Sequence, residues 1–475
     1  MKMQFIFYIA VFAILQSCNN GQNSTKERNP ILLSDVHNKA SCVFLTKDEK
    51  SNPVGSWTEI DSAGNKHFYF ASWDAKFEKF ASGIEIPIPP NTSIHEEGMP
   101  KIAFKGDGTM MAIYETSVPS EKSRFGLSDI QYMMSFDKGK SWTTPKSIQS
   151  EDTHIGSRSF SNIIRLDDGE IGVSWLDTDP DSTNIGRPVK FARTNANKGF
   201  GHAILIESSA CQCCRTALSS DGGGSVIVVF RNLLSGSVRD ISVSNSSDNG
   251  RTFNKAVPFS NDHWVVDGCP HNGPSVVSKD EHTYVTWFTG SEQNGVFYAA
   301  LDKGNNMILK RQLAPKGRFV QLCLMPDGTR IATFNVSYNE GDSTYSKIKL
   351  NKTKGADFFE KEITLPRVHA SHPVIISNGK HHVIVAWTDT DQIYYLQLAA
   401  NGISDLVKET ENEPFKMENK IEIPKLSFSN DPVCGMKINE HTAVDTTLFQ
   451  GKVIGFCSKS CKDMFLKDPK AVALH

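Results

Sequence analysis

A unit of about fifty residues recurs along most of the 475-residue chain. Each unit opens with an apolar strand, passes through a polar turn into a second strand rich in Val, Ile and Trp, and runs on into a third. The turn and second strand are legible seven times, as KDEKSNPVGSWTE, KGDGTMMAIYE, LDDGEIGVSWLD, SSDGGGSVIVVFRN, SKDEHTYVTWF, MPDGTRIATFN and SNGKHHVIVAWTD. A unit of a few short strands cannot bury both its faces alone. Stacked in a ring, such units become the blades of an all-β propeller. The seventh unit has no clear fourth strand, so NPILLSDV near residue 30 is expected to supply one and close the ring.

Two octets sit at equivalent places in the repeat, SFDKGKSW (135–142) and SSDNGRTF (246–253). Both read S-x-D-x-G-x-[ST]-aromatic. The Ser and Asp side chains can bond the turn backbone, the Gly can take a positive φ, and the ring can tuck against the hairpin. Weaker copies stand at RTNANKGF (193–200) and ALDKGNNM (300–307). These octets resemble the Asp-boxes of sialidase and BNR-repeat propellers. Sialidases have six blades, so seven is the count favoured here and six the alternative.

The first strand of each blade lines the central channel, so residues just before successive first strands should meet near the axis. Those positions hold Cys42 in the first unit, His95, Glu96 and Glu97 in the second, and His154 and Arg158 in the third. The fourth has Cys211, Cys213, Cys214 and Arg215, the fifth Cys269 and His271, the sixth Arg318, and the seventh His369 and His372. Six of seven units thus offer a thiol or an imidazole, from a chain with 14 His and 10 Cys. Thiols crowded as in SACQCCRTA (209–217) either form disulfides, worth roughly 2–4 kcal/mol each, or ligate a soft metal such as copper, zinc or iron at about 2.0–2.3 Å. The reading adopted is a shared metal centre of Cys42, His154, Cys211, Cys213, Cys214, Cys269 and His271, with Arg215 favouring thiolate. Cys323, inside VQLCLM, reads as a buried core thiol.

Sialidases hold a substrate carboxylate with three arginines, and the resemblance places Arg158, Arg215 and Arg318 at suitable blade starts for a small anionic or glycan ligand. The family's early Arg-Ile-Pro segment is missing, and no Tyr–Glu pair stands out as nucleophile and base. The resemblance therefore covers the scaffold, residues 38–400, and not the active site. Fold alone does not settle function.

The N-terminus, MKMQFIFYIAVFAILQSC, places Lys2 ahead of an apolar run from Phe5 to Leu15 that is too short to cross a bilayer, as in a secretory signal. Leu15, Gln16, Ser17 and Cys18 resemble a bacterial lipobox. That resemblance implies a signal segment at 1–18, lipidation of Cys18, a polar tether at 19–30, and a lipid-anchored place in the bacterial cell envelope, periplasmic or outer-membrane facing. Disulfides persist in such a compartment, which keeps both cysteine readings open. A net charge of -2 with mixed signs gives no basic stripe for nucleic acid.

The propeller is expected over 31–401 and a charged linker over 402–427. The segment 428–475 opens with Asp431-Pro-Val-Cys-Gly-Met436 and continues to Phe456, Cys457, Ser458 and Cys461. Cys457 and Cys461, four apart, share one face of a helix start, whose positive end lowers thiol pKa. With Cys434 they make a three-thiol pocket, and Met436 or His441 is a fourth partner within reach. This tail resembles a YHS domain, a small α+β metal-binding unit, with Phe449 and Ile454 where tyrosines are usual. The resemblance implies copper or another heavy metal, with zinc as the alternative. The two thiol-rich sites together favour an envelope lipoprotein that handles copper. The alternatives are a sialidase-type glycoside hydrolase, and a non-catalytic glycan- or protein-binding propeller with structural disulfides.

Overall fold

The computed structural model describes residues 29–118, 127–149, 156–178, 186–407 and 426–469, except 197–198, 267, 342, 439–442, 444, 458 and 468. Cys18, His154, His441 and Ser458 lie outside the described residues. Seven antiparallel sheets of four or five strands make the propeller, so seven is the blade number. Their innermost strands are Lys39–Lys47, Lys101–Phe104, Ser159–Arg165, Ala217–Ser220, Ser275–Lys279, Gly317–Leu324 and Ala370–Asn378. Each touches the innermost strand of the next blade, and the seventh touches the first.

The ring closes as the sequence suggested. Ile31–Leu32 is the outermost strand of the seventh blade, with Ile31 opposite Tyr395 and Leu32 opposite Tyr394. The propeller also runs a little past residue 401, because Asp405–Leu406 adds a fifth strand to the sixth blade beside Asp357–Glu362. Among the described residues no helix is long and apolar enough to cross a membrane.

The apolar alternation of the strands is spent between blades. Each of the seven blade–blade interfaces has its own buried cluster. Between the first and second blades, for example, Val54, Phe68 and Phe70 meet Ile102, Phe104 and Met110. Cys323 belongs to the cluster between the sixth and seventh blades, where burial pushes its thiol up to about 12. It is the core thiol expected.

The octets fold as their residue types require. Ser135 Oγ donates to Asp137 (2.9 Å) and accepts from the Gly139 amide (2.8 Å), while Asp137 accepts from the Ser141 amide (2.9 Å) and hydroxyl (2.6 Å). Ser246, Asp248, Gly250 and Thr252 repeat the pattern. These turns also brace the ring: Phe253 of the fourth blade packs edge-on to Phe191 of the third, with centroids 4.9 Å apart. Gly250, at φ 74°, lies so close to Phe191 that a Cβ would come within 2.4 Å of its ring.

One irregularity of the innermost strands positions the site. Register shifts at Ser41/Phe44, Ser159/Asn162, Arg318/Gln321 and Ser371/Val374 mark a bulge at the same place in four blades. Within them Cys42, Phe160, Phe319 and His372 all take positive φ, and His271 does so just ahead of its strand. A bulge re-aims a side chain out of the strand's alternation. The rings so re-aimed meet one another across blades, Phe319 on His372 at 3.9 Å and Phe160 near His271 at 6.3 Å between centroids.

The tail is a hairpin, Asp445–Phe449 with Lys452–Phe456, followed by the helix Lys459–Lys467. Val433, Ile438, Ile454, Phe456 and Phe465 form its small core, and Phe449 packs on Phe465 at 5.2 Å. Phe449 and Ile454 thus serve packing.

Gly250→Ala is expected to cost about 1–2 kcal/mol from a left-handed backbone and about 1–3 kcal/mol more from the forced contact. Gly355→Ala, at φ 60° with nothing within 4 Å, should lose only the first share. Urea midpoints of the two variants check this, and equal losses would show that the turn does not brace the neighbouring blade.

Candidate metal centres

The tail pocket is assembled by one carboxylate. Asp431, fully buried, accepts from the amides of Val433 (2.8 Å), Cys434 (3.3 Å) and Cys457 (2.7 Å), and so fastens the first loop to the end of the hairpin. That places Cys434 Sγ 3.5 Å from Cys457 Sγ, which is 3.7 Å from Cys461 Sγ across one helical turn. Hydrogen bonds from the Cys457 and Cys461 thiols hold the Cys434 thiol well below its ordinary value, and the same contacts push Cys457 up. Cys434 is therefore the thiol that ionises first.

On the propeller, Cys211, Cys213 and Cys214 are buried in the turn that enters the fourth blade, with Cys211 and Cys214 sulfurs 3.8 Å apart. Cys213 also meets Cys269 and His271 of the fifth blade, so two groups of ligand atoms, each within 4.8 Å, share Cys213. The Cys213 thiol and then His271 hold Cys269 down to about 6. Cys211 is held well below its ordinary value by hydrogen bonds from Cys213 and Cys214, with Arg239 adding to the effect, while burial pushes Cys213 and Cys214 up. The Nδ1 of His271 is buried with no hydrogen-bond partner.

These spacings fit a metal. Two sulfurs about 2.3 Å from one tetrahedral ion lie roughly 3.8 Å apart, whereas disulfide sulfurs are bonded at about 2.05 Å. All nine described cysteines are free.

Of the seven propeller residues that the sequence suggested would share one centre, the structure brings together Cys211, Cys213, Cys214, Cys269 and His271. Cys42 is in neither group. Its amide donates to Glu96 (3.1 Å), and burial raises its thiol, with Glu96 adding to the rise. Arg215 does not serve the thiols: it pairs with buried Glu97 (2.7 Å), which also accepts from the Gly273 amide (2.9 Å) and so ties the second blade to the fifth. Arg158 bonds Asp129 (3.1 Å) and Gln149 (3.2 Å), and Arg318 lies over the Phe288 ring at 5.0 Å. The three arginines have different partners.

The guanidinium that the thiols do meet is Arg239, which donates to Cys211 Sγ at 3.0 Å. The sequence offered one signal for it: two arginines, Arg231 and Arg239, flank a loop between otherwise apolar strands. Arg231 donates to the carbonyls of Arg239, Asn272 and Phe288, and Arg187 to those of Ser157, Leu176 and Asp177. His95, another blade-start residue, accepts at Nδ1 from the Glu97 amide (3.1 Å) with its ring 5.4 Å from that of His271, and burial pushes it down to about 3. It is a neutral wall of the site.

The two thiol pockets adjoin. Met436, two residues after Cys434, accepts the Cys269 amide at its sulfur (2.8 Å). Beside this contact is a crevice lined by Trp264, Pro270, Phe288 and Arg318 of the propeller and Lys437 and Ile438 of the tail.

A model described as a BNR repeat-like domain matches residues 42–263, and one described as a YHS domain matches 429–473. The chain is a BNR-repeat β-propeller carrying a C-terminal YHS domain. No curated protein matches it. Among solved structures it is similar to an ulvan lyase of polysaccharide lyase family PL25, at 12% identity over 78% of this chain and 96% of that one, with a TM-score of 0.50. It is also similar to the intramolecular trans-sialidase of Ruminococcus gnavus (7%, 79% and 98%, 0.47) and to a protein of unknown function from Dyadobacter fermentans (16%, 63% and 93%, 0.44). At these identities the likeness is one of fold.

In the metal-free chain, half-buried Cys269 should be alkylated by iodoacetamide at a rate that levels off above about pH 6. Buried Cys213 and Cys214 should stay slow throughout. Peptide mapping between about pH 5 and about pH 9 reads this, and a Cys269 rate still climbing at the upper end would contradict the thiolate.

Proposed function

We propose that the protein is an envelope lipoprotein, anchored through Cys18, that captures copper on its YHS tail and passes it to a Cys/His centre at the propeller axis. The observation that carries this reading is the contact of Met436 with Cys269, which joins two separately folded thiol pockets. Each pocket offers sets of three soft donors, and such sets suit monovalent copper better than zinc, whose structural sites take four. Asp431 could complete a fourth position in the tail, but its oxygens already bind three amides. Copper bound here would be shielded from water and oxygen by burial of the thiols. The chain's own part is to hold the thiolates apart by the spacing of one ion, to supply positive charge through Arg239, and to offer a thioether between donor and acceptor pockets.

The glycan-active alternatives draw on the fold shared with the ulvan lyase. They need an open anion site, and the partners of Arg158, Arg215 and Arg318 described above speak against one. Cleavage of a sialoside or an acidic polysaccharide by the metal-free chain would move the assignment to them.

Replacing Cys434, Cys457 and Cys461 together by Ser in the full chain should remove the tail's share of copper, measured by elemental analysis after anaerobic loading and desalting. Copper content equal to wild type would exclude the tail as a site. Met436→Leu should leave the final content unchanged but slow filling of the propeller from a tail-loaded chain about tenfold, the equivalent of roughly 1.4 kcal/mol in the barrier. An unchanged filling rate would remove Met436 from the route.

A further inference from the structure

The arrangement of the propeller thiols points to more than one ion, and this inference rests on the metal-binding reading above. We propose that the propeller centre is dinuclear, with the Cys213 thiolate bridging one copper held by Cys211 and Cys214 and a second held by Cys269 and His271.

Three observations carry it. The first is reach. Two ligands of one ion, each bonded at about 2.3 Å, lie no more than about 4.6 Å apart. The five ligand atoms do not fall within one 4.8 Å group; they fall into two such groups with Cys213 common to both. A single ion would therefore leave part of a buried thiol set without a partner. The sulfur of Cys213 is the hub by contact as well, since it meets those of Cys211, Cys214 and Cys269.

The second is charge. Four thiolates with one monovalent ion carry three net negative charges, and with two ions they carry two. The cations at hand are Arg239, bonded to Cys211, with Arg231 acting on Cys211 and Arg187 on Cys213 and Cys269 at longer range. Arg231 and Arg187 are bonded to carbonyl oxygens, so their charge is available to the cluster, although Glu115 and Asp177 draw on that of Arg187. Arg215 is committed to Glu97. The lower cluster charge is the one these guanidiniums can balance in a buried site.

The third is the imidazole. His271 is held at positive φ with a buried, unpartnered Nδ1. A non-glycine residue in that backbone region, whose ring meets Cys269 and keeps an orphan nitrogen, is arranged for a ligand. Copper enters as the monovalent ion and displaces thiol protons to solvent; no electron is transferred.

The test uses the full chain with the tail silenced by Cys434→Ser, Cys457→Ser and Cys461→Ser. Anaerobic titration with monovalent copper against a competing chelator, read by native mass spectrometry, should give two ions per chain. Adding Cys213→Ser should cut this to one or none, whereas Cys323→Ala, in the blade core, should leave it at two. Because Cys213→Ser could also unfold the turn, X-ray absorption of the copper-loaded tail-silenced protein supplies a second readout. A copper–copper vector of roughly 3 Å is expected from two bonds of about 2.3 Å to one sulfur. One ion per chain without that vector overturns the dinuclear assignment and leaves the copper-binding reading standing. No retained copper overturns both.

Discussion

Two backbone pairings, Ile31 with Tyr395 and Leu32 with Tyr394, fasten the start of the propeller to its last blade and turn seven sheets into a ring. The sheets of a repeat protein bury their faces only against their neighbours, so an open array would leave a seventh interface unburied and its first and last blades free to splay. Closure fixes every innermost strand about one axis. Only then do Cys213 and Cys269, fifty-six positions apart in sequence, come within bonding range of one ion. The bulges at equivalent places in the innermost strands complete the effect, because they take side chains that alternation would hide in an interblade core and turn them toward one another.

The buried thiols are costly to ionise unless charge and hydrogen bonds are arranged in advance. The propeller meets this with arginines anchored on backbone carbonyls, Arg187 and Arg231, and with Arg239 on Cys211 itself. Carbonyl anchoring matters. A guanidinium tied to a carboxylate, as Arg215 is to Glu97, has its field largely cancelled nearby, so the two kinds of arginine do different work within one layer of the protein. The Arg215–Glu97 pair instead locks blades together, and removing either partner would leave an uncompensated buried charge.

Much of this was legible in the sequence and some was not, for physical reasons. The blade count, the closing strand and the octet turns could be read because each depends on local chemistry: strand periodicity, and Ser, Asp and Gly at fixed offsets. The convergence of Cys211, Cys213, Cys214, Cys269 and His271 could be read because blade-start positions map onto the axis by topology alone. Arg239 could be read only as one of two arginines flanking a loop, because its side chain crosses from the loop between the second and third strands of its blade to reach Cys211, and no sequence spacing encodes that reach. Cys42 misled for the converse reason. It occupies the right place in the repeat and takes the same positive φ as Phe160 and His372, yet its amide and thiol are engaged by Glu96, Ser41 and Thr58.

Joining a small thiol domain to a large propeller makes docking and metal occupancy interdependent. The tail's core is only a handful of residues, among them Cys457 and Cys461, so a metal bound at its thiols would also be structure. Its loop from Asp431 to Met436 holds a thiol of the pocket, Cys434, and a docking residue, Met436, two positions apart. Asp431 braces that loop by accepting the amides of both Cys434 and Cys457. Filling the tail pocket would fix that loop and with it the thioether on Cys269. Emptying it would loosen both. By linkage the converse also holds: a propeller that binds Met436 favours the ordered tail, and the two pockets are thermodynamically coupled through one sulfur.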